Sequence, residues 1–480
     1  MTDSDRIEVL MLGWEYPPHI SGGLGTACEG LTKALAPLGV GIDFVVPHLY
    51  GRERAPHMRL TSPELILSAL DPLAFPVNYG GISSGATVPP LPARPSDPEE
   101  ARKASAIGHD PSIRIPAYLT PYLRPEQYAS LVQAMESGDR DALRSLLGPT
   151  ALLDEELGAR PAPPWAERSD GPHYGGDLFD EVVRYADRVA HWAHGRRPRV
   201  VHAHDWMTFP AATRVANAHG IPMVVHVHSL EQDRSGGGAN ATIVGIEAAG
   251  MRAATRVIAV SHYTARMIHE LHGIPLARID VVHNGAYTRP TVSAYRAEAG
   301  DDRPMVLFLG RITYQKGPDY FVEAAAKVLQ QVPEARFVMA GSGDMLPRLQ
   351  ARVQELGIED SFEFPGFVRG ADVERLFSLA DAYVMPSVSE PFGISALEAM
   401  SYETPVVLSR QSGASEVLHH ALKVDFWDVN RLASQIVAIL RYPELRSSIV
   451  DMAREEVRRV HWEAAATKVV QTYARVLGVN

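Results

Sequence analysis

The 480-residue chain is 46% hydrophobic and 21% charged, the balance of a soluble globular enzyme with two or three domains. Its net charge of −11 argues against nucleic acid as a partner, because phosphate backbones repel an acidic protein. The single cysteine, Cys28, excludes an intrachain disulfide and fits a cytoplasmic location, and neither a signal peptide nor a membrane-spanning apolar run is predicted.

The first 50 residues predict a strand, a glycine-rich loop, a helix and a second strand. These elements cover residues 7–12, 22–25, 26–38 and 42–46. This order is typical of the start of a doubly wound α/β domain. Residues 51–176 are rich in proline and lack a regular apolar period, so we interpret them as a long insertion near the cleft.

Regular alternation of helices and strands resumes at residue 178. Strands are predicted at residues 200–204, 222–228, 257–260 and 279–282, with helices at 178–194, 207–219, 241–252 and 263–272. A polar linker at 293–302 precedes a second series of elements. Its predicted strands are 305–309, 336–340, 361–364, 382–385 and 405–408. Its predicted helices are 318–332, 344–356, 371–379 and 394–400. A last helix is predicted at 462–477. Two such series predict two Rossmann-like, doubly wound domains that face each other across a cleft.

The string Ser-Glu-Pro-Phe-Gly-Ile-Ser-Ala-Leu-Glu at residues 389–398 places two carboxylates around the start of a helix. Glu390 precedes the Pro-Phe-Gly turn, and Glu398 lies further along the helix. The free N–H groups at the helix start, at Gly393, Ile394 and Ser395, attract an anion together with the helix dipole. The string therefore offers a phosphate site, one carboxylate for charge chemistry and a second that accepts hydrogen bonds from hydroxyls, which together suit a nucleotide sugar.

Two basic residues follow the first strand of the second series. Arg311 and Lys316 belong to Gly-Arg-Ile-Thr-Tyr-Gln-Lys-Gly at residues 310–317, between a strand and a helix. Doubly wound sheets bind ligands at the carboxyl ends of their strands. A guanidinium and an ammonium can both reach a diphosphate there, so we favour a phosphate site over a solvated basic turn.

These two strings resemble motifs of the retaining glycosyltransferases with the GT-B fold, of families 4 and 5, and above all of the glycogen and starch synthases. The resemblance implies that Glu390 orients the sugar and stabilises positive charge, and that Glu398 binds the ribose. It implies that Arg311 and Lys316 bind the donor diphosphate. It also implies that the C-terminal helix crosses back onto the N-terminal domain.

The N-terminal loop is similar to the Gly-Gly-Leu-Gly loop of these synthases. It consists of Gly22, Gly23, Leu24 and Gly25, with Glu15 shortly before it. Adjacent glycines let backbone N–H groups approach a phosphate closely. The resemblance places Glu15 on the side of the sugar and the acceptor. The synthases usually carry Lys-Thr before the glycine pair, where this chain has Ile-Ser.

Histidines alternate along two predicted strands, with His202 and His204 in the first and His226 and His228 in the second. We interpret the first pair as buried structural histidines and not as zinc ligands, because no cysteine or His-Glu-x-x-His partner accompanies them. The string His-Ala-His-Asp-Trp also resembles one in the synthases, whose aspartate, here Asp205, lies near the acceptor.

Three further residues are assigned by resemblance alone. His228 matches a histidine that hydrogen-bonds the transferred sugar near its 6-hydroxyl. Asn284 matches a turn on the sugar side of the cleft. Glu416 ends a turn that is similar to one that closes on the donor phosphates.

The sequence thus predicts an α/β protein of the GT-B type. We expect an N-terminal domain at residues 1–292, a nucleotide-sugar-binding domain at 293–461, and a C-terminal helix within 462–480 that packs on the N-terminal domain. The expected activity is that of a retaining, metal-independent hexosyltransferase without a cofactor, which moves glucose from ADP- or UDP-glucose to an α-glucan.

Other readings remain open at this point. One is a family 4 transferase that acts on a small sugar, sugar phosphate or polyol. Another is an inactive relative that binds nucleotides or glycans. A dinucleotide-binding oxidoreductase is disfavoured, because neither first strand is followed by Gly-x-Gly-x-x-Gly.

Overall fold

The computed structural model describes residues 7–18, 23–49, 51, 53–63, 178–235, 238–287 and 303–479. These residues form two separate parallel sheets, one of seven strands and one of six. Most of the predicted insertion (64–176), the predicted linker (293–302) and Gly22 lie outside the described residues. The two sheets confirm the predicted GT-B-type α/β architecture.

The first sheet has the strand order β3-β2-β1-β4-β5-β6-β7. Its strands are β1 (Ile7–Leu12), β2 (Val40–Val45), β3 (Arg59–Thr61), β4 (Val200–His204), β5 (Met223–Val227), β6 (Arg256–Ala259) and β7 (Ile279–Val281). Its helices are α1 (Gly23–Leu35), α2 (Leu178–Ala193), α3 (Phe209–His219), α4 (Glu231–Ser235), α5 (Ala241–Ala253) and α6 (His262–His272). The order reverses between β1 and β4, and the crevice beyond the carboxyl ends of these strands is where such sheets bind ligands.

The second sheet has the order β10-β9-β8-β11-β12-β13. Its strands are β8 (Met305–Leu309), β9 (Arg336–Ala340), β10 (Phe362–Gly366), β11 (Ala382–Met385), β12 (Val406–Ser409) and β13 (Leu422–Val424). Its helices are α7 (Pro318–Leu329), α8 (Leu346–Glu355), α9 (Ala371–Leu379), α10 (Ile394–Ser401), α11 (Val429–Arg441) and α12 (Pro443–Arg459). Here the order reverses between β8 and β11, so the loops after these two strands meet at the second crevice.

Helices cover both faces of the first sheet, which explains why its central strands are almost continuously apolar. One face packs against α2 and α3, with Tyr185 and Phe209 fully buried. The other face packs against α1 and the C-terminal helix α13 (Trp462–Leu477).

Helix α13 belongs to the last part of the chain and nevertheless packs on the first sheet, which confirms the expected return. Trp462 and Tyr473 are buried in the same cluster as residues of β1 and α1. The fit is close, since a Cβ at Gly30 would come within 2.2 Å of the Trp462 ring. A backbone bridge between Ala286 and His461 marks the point where the chain crosses.

Five elements were not predicted from the sequence: β3, β13, α4, α11 and α12. Helix α4 has only five residues, too few for a periodic signal. Strands β3 and β13 are only three residues long and lie at sheet edges, so they carry too few residues for a periodic signal. Eight of the 17 residues of α12 are charged, which weakens its apolar pattern. Helix α11 did carry a signal, an Asp428 N-cap followed by buried Leu432 and Ile436 at helical spacing.

Helix α1 also begins three residues earlier than predicted, at Gly23. The side chain of Glu15 caps this start, because its Oε1 accepts a hydrogen bond from the N–H of Gly25 at 3.0 Å. Among the described residues, none of the helices has both the length and the apolar character needed to span a bilayer.

We expect Trp462→Ala to lower the free energy of unfolding by about 3–5 kcal/mol, because it removes a large buried side chain between α13 and α1. Trp427→Ala is the matched control, since Trp427 is 58% exposed and its loss should cost less than ~1 kcal/mol. A urea titration followed by circular dichroism measures both. Equal losses in the two variants would show that α13 does not stabilise the first sheet.

Candidate active site

The carboxylate of Glu390 and the ammonium of Lys316 form an ion pair, although 74 residues separate them in sequence. Lys316 Nζ lies 2.5 Å from Glu390 Oε2. The hydroxyl of Ser387 donates to the same oxygen at 3.2 Å. Glu390 follows β11 and Lys316 follows β8, and these strands are neighbours at the point where the strand order reverses. The fold therefore joins the two strings that the sequence singled out.

Arg311 lies in the same loop after β8 as Lys316. Its guanidinium donates to Oε1 of Gln315 at 3.0 Å. The carbonyl of the buried Gln315 accepts a hydrogen bond from the N–H of Val388 at 2.9 Å. Gln315 thus links the loop after β8 to the loop after β11, a contact that the sequence analysis did not foresee.

The loop after β8 needs glycine at its end. Gly317 has a φ of 61°, and a Cβ there would lie 2.1 Å from the carbonyl oxygen of Pro386. A side chain at this position would force the loop of Lys316 away from the loop of Glu390. The glycine therefore permits the close approach of the two charged residues.

Helix α10 starts directly after Glu390, as predicted. Gly393 precedes it with a φ of 100°, and the helix runs from Ile394 to Ser401. The hydroxyl of Tyr383 donates to Ser395 Oγ at 2.8 Å and holds the first turn against β11. Glu398 lies within this helix and is partly buried.

The glycine-rich loop differs from its expected arrangement. The N–H of Gly25, an expected phosphate donor, is already bonded to Glu15. Gly23 is exposed and Leu24 is partly buried at the start of α1. A carboxylate therefore occupies part of the helix N-terminus that the sequence analysis assigned to a phosphate.

Asp205 anchors the backbone next to His228. Its Oδ1 accepts hydrogen bonds from the N–H groups of His228 at 2.7 Å and Ser229 at 3.3 Å. Burial raises the pKa of Asp205 to about 6, and the charge of Arg234 limits the rise. Asp205 thus fixes the end of β5, which carries the histidine assigned to the sugar.

Four histidines form a stacked ladder on the face of the first sheet that α13 covers. The four histidines are His202, His204, His226 and His228. Together with the ring of Tyr473, neighbouring rings have centroids 4.3–5.7 Å apart. His202 Nδ1 lies 2.6 Å from the hydroxyl of Tyr473 on α13. The ladder therefore joins the sheet to the returning helix.

Three of these histidines form a group of possible metal ligands on the first sheet. Ligand nitrogens of His202, His204 and His226 lie within 4.8 Å of one another. Their rings are nearly parallel, with interplanar angles of 11–30°. Lone pairs in parallel ring planes do not converge on one tetrahedral ion, so packing explains this arrangement better than zinc.

Side chains of the first domain hold both residues that flank Glu390. The hydroxyl of Ser389 donates to Asp233 Oδ1 and lies 2.8 Å from the hydroxyl of Tyr263. The carbonyl of Pro391 accepts a hydrogen bond from Ser261 Oγ at 2.6 Å. In addition, α4 packs beside the turn at Tyr314–Lys316. The loop of Glu390 is therefore held from both sides of the cleft.

Glu416 makes a second connection across the cleft. Its carboxylate accepts hydrogen bonds from the N–H groups of His262 and Tyr263, at 2.9 and 2.7 Å, and from His283 Nε2 at 2.8 Å. Burial would raise the pKa of Glu416, but these hydrogen bonds outweigh it and hold the pKa below its usual value. Asn284, the residue after His283, is buried.

The site also contains three residues that the sequence did not predict, namely Asp233, Tyr263 and Ser261. A weak signal existed for Asp233, since it lies in a polar run directly after β5 and His228. Tyr263 and Ser261 begin an ordinary helix, with Ser261 as its N-cap. Their bonds to Ser389 and Pro391 form only because the two domains are in contact, and the sequence does not show that contact.

Three family models match successive parts of the chain. The starch synthase catalytic domain matches residues 8–78, glycosyltransferase family 4 matches residues 148–289, and glycosyl transferases group 1 matches residues 295–456.

Relatives with assigned names match over more than half of the chain. An uncharacterised glycosyltransferase of Methanocaldococcus jannaschii, MJ1607, is 33% identical over 292 residues, which cover 57% of this chain and 74% of the relative. A glycogen synthase of Mycobacterium tuberculosis is 29% identical over 286 residues, 58% of this chain and 69% of the relative. A D-inositol 3-phosphate glycosyltransferase of Acidothermus cellulolyticus is 30% identical over 303 residues, 58% and 67% of the two chains.

Solved structures share the fold along almost the whole chain. Sucrose-phosphate synthase from Thermosynechococcus elongatus superposes with a TM-score of 0.67 at 18% identity and covers 98% of this chain and 100% of that one. Anabaena HepE in complex with UDP-glucose superposes with a TM-score of 0.62 at 15% identity and the same coverage.

We expect Glu416→Ala to favour an open cleft, because it removes a carboxylate that accepts three hydrogen bonds from the first domain. The closed form should lose about 1–3 kcal/mol relative to the open one. Small-angle scattering should show a larger radius of gyration, whereas Glu455→Ala, which removes an exposed carboxylate of α12, should leave it unchanged.

The pH dependence of this contact has a defined sign. A lowered pKa means that the contribution of Glu416 is complete above the usual carboxyl value of 4.5 and is lost as the pH falls through the lowered value. An equal radius in Glu416→Ala and wild type at neutral pH would contradict the assignment.

Proposed function

Because the chain belongs to the GT-B glycosyltransferases, we propose that it moves a hexose from a nucleotide sugar to an acceptor hydroxyl with retention of configuration. The observation that carries this proposal is the ion pair of Lys316 and Glu390 just before α10, with Arg311 in the same loop as Lys316. The two cations and the helix N-terminus suit a diphosphate, and the carboxylate suits the sugar. The same three residues argue against an inactive relative.

The donor diphosphate would bind to Arg311, Lys316 and the first N–H groups of α10, from Gly393 to Ser395. The bond between C1 of the sugar and the phosphate oxygen breaks, and its electrons remain on the phosphate. The cations and the helix dipole stabilise that charge without a metal ion. Glu398 lies further along α10 and is assigned to the ribose.

The sugar gains positive charge at C1 in the transition state, and the carboxylate of Glu390 stabilises it. The acceptor hydroxyl attacks C1 on the face that the phosphate leaves, and its proton passes to a phosphate oxygen. A new C1–O bond on the same face retains the configuration. His228, Asp205, Asn284 and Glu15 lie on the other domain and are assigned to the sugar and the acceptor.

We favour glucose as the hexose, UDP or ADP as the nucleotide and an α-glucan as the acceptor. The match to a starch synthase domain and the glycogen synthase relative support the glucan. The structural neighbour in complex with UDP-glucose supports the donor. We also propose that the enzyme acts in the cytoplasm.

A small phosphorylated acceptor is the second candidate. It is favoured by the relatives that are D-inositol 3-phosphate glycosyltransferases, which are as similar in sequence as the glycogen synthase. A product assay that offers glucan primers and small polyol phosphates in parallel separates the two. Transfer to the glucan alone supports the first candidate, and transfer to the phosphate alone supports the second.

Lys316→Ala and Arg311→Ala should each lower kcat/KM for the donor about 10- to 150-fold. Each loses a charge-assisted hydrogen bond to the diphosphate, worth about 1.5–3 kcal/mol. Lys327→Ala, which removes an exposed lysine of α7, is the matched control and should behave as wild type. Unchanged kcat/KM in both site variants would rule out this diphosphate site.

Glu390→Gln should reduce kcat at least ~100-fold, while the melting temperature stays near that of wild type. The amide keeps the shape of the side chain and removes the charge that stabilises the transition state. Steady-state kinetics with saturating donor, together with a thermal melt, measure both effects. Normal kcat in a folded variant would remove Glu390 from the chemistry.

Transfer should persist in excess EDTA, because Arg311, Lys316 and the start of α10 supply the positive charge that a metal supplies elsewhere. The assay is run on enzyme dialysed against the chelator. If activity disappears and one added divalent ion restores it, the metal-independent mechanism is wrong.

A further inference from the structure

Two histidines of the ladder share a hydrogen bond at the ends of β4 and β5. Nδ1 of His204 lies 2.9 Å from Nε2 of His228. At this distance, one nitrogen carries the proton and the other accepts it. The ring of His204 is completely buried, whereas His228 is partly exposed. One nitrogen of His228, Nε2, is therefore used within the protein, and Nδ1 is the nitrogen that this bond leaves for a ligand.

Both rings are neutral near pH 7. Burial lowers the pKa of His204 well below its ordinary value, and it lowers the pKa of His228 to about 3. A neutral imidazole carries one N–H and one lone pair. The proton that lies between the two rings therefore decides which nitrogen of each ring is protonated.

The other nitrogen of His204 indicates the direction of the bond. His204 Nε2 is buried and has no hydrogen-bond partner among the described residues. If His204 carried its proton on Nε2, a buried N–H group would be left without an acceptor. If it carries the proton on Nδ1, only a lone pair is left without a donor. Buried N–H groups without partners are the rarer case, so Nδ1 of His204 is the donor.

We propose that His204 is a positioning residue that fixes the tautomer of His228. Because His228 accepts at Nε2, it must hold its own proton on Nδ1. Nδ1 is then a hydrogen-bond donor and not an acceptor. His204 acts only through His228 and does not itself touch the substrate.

The surroundings of His204 keep its ring in this orientation. It stacks on His202 with ring centroids 4.5 Å apart and on His226 at 5.2 Å. The ring of Phe44, in β2, also stacks with the ring of His204, with their centroids 6.3 Å apart. Asp205, the next residue, is held by the backbone of His228. A ring packed in this way cannot turn to present Nε2 to His228 without displacing its neighbours.

The consequence for recognition rests on the proposed function. A donor at Nδ1 binds a sugar hydroxyl through the oxygen lone pair. It also excludes a cationic amino group at the same position, because two donors would face each other. His228 would thus select hydroxylated over aminated hexoses at the carbon that it contacts.

The tautomer is measured directly by two-bond ¹H–¹⁵N NMR on enzyme with ¹⁵N-labelled histidine, with His228→Gln used to identify the signals. In wild type we expect His228 to be protonated on Nδ1. In His204→Phe, which keeps a ring and loses the donor, His228 should change to the form protonated mainly on Nε2, as in free histidine. His226→Phe is the matched control, because it alters the ring stacked on His228 and leaves the hydrogen bond in place.

A second variant covers the case in which His204→Phe does not fold. In His204→Asn, the side-chain amide nitrogen can donate from near the position of Nδ1, so His228 should keep its proton on Nδ1. Relative to wild type, kcat/KM should fall about tenfold in His204→Phe, the effect of one ordinary hydrogen bond, and less in His204→Asn.

Two results would overturn the proposal: a wild-type His228 protonated on Nε2, or a folded His204→Phe in which the tautomer is unchanged. The spectrum needs no substrate, so it decides the tautomer even if the chain proves not to transfer a sugar. Conversely, if the Lys316 and Arg311 variants disprove the transferase proposal, the NMR result for the tautomer of His228 remains valid.

Discussion

The ion pair between Lys316 and Glu390 is the interaction on which the candidate site depends. Glu390 is buried and carries a charge, so removal of its partner would leave that charge without compensation. The pair exists because β8 and β11 are neighbours at the reversal of the second sheet and because Gly317 lets their loops meet. Under the proposed function, donor binding is an exchange: the diphosphate takes Lys316, and the carboxylate of Glu390 turns to the sugar.

The loop of Glu390 is also the place where the two domains hold each other. Asp233 and Tyr263 bind Ser389 from the first domain, and Ser261 binds the carbonyl of Pro391. Because the residues on both sides of Glu390 have partners across the cleft, its position depends on closure. Coupling of this kind lets an enzyme assemble its site only around a bound substrate, which protects an activated donor from water.

Much of this arrangement was predictable from sequence, for physical reasons that can be named. Apolar runs located the central strands, and parallel strands bring their carboxyl ends to one edge, so Arg311, Lys316 and Glu390 were expected together. The partners that individual side chains choose were not predictable. Glu15 caps α1 and so occupies an expected phosphate position, and Glu416 binds the start of α6. The first contact depends on the local path of one loop and the second on the distance between the domains, and neither produces a periodic signal in the chain.

The central claim is that the cleft binds a nucleotide diphosphate sugar at Lys316 and Arg311. The most direct measurement is a thermal shift of the wild-type protein against a panel of nucleotide sugars, since a ligand that binds the folded state stabilises it by mass action. The account predicts a rise in melting temperature with UDP-glucose or ADP-glucose that saturates with concentration, and a smaller rise with the matching nucleoside monophosphate. No shift with any nucleotide diphosphate sugar at millimolar concentration would contradict it.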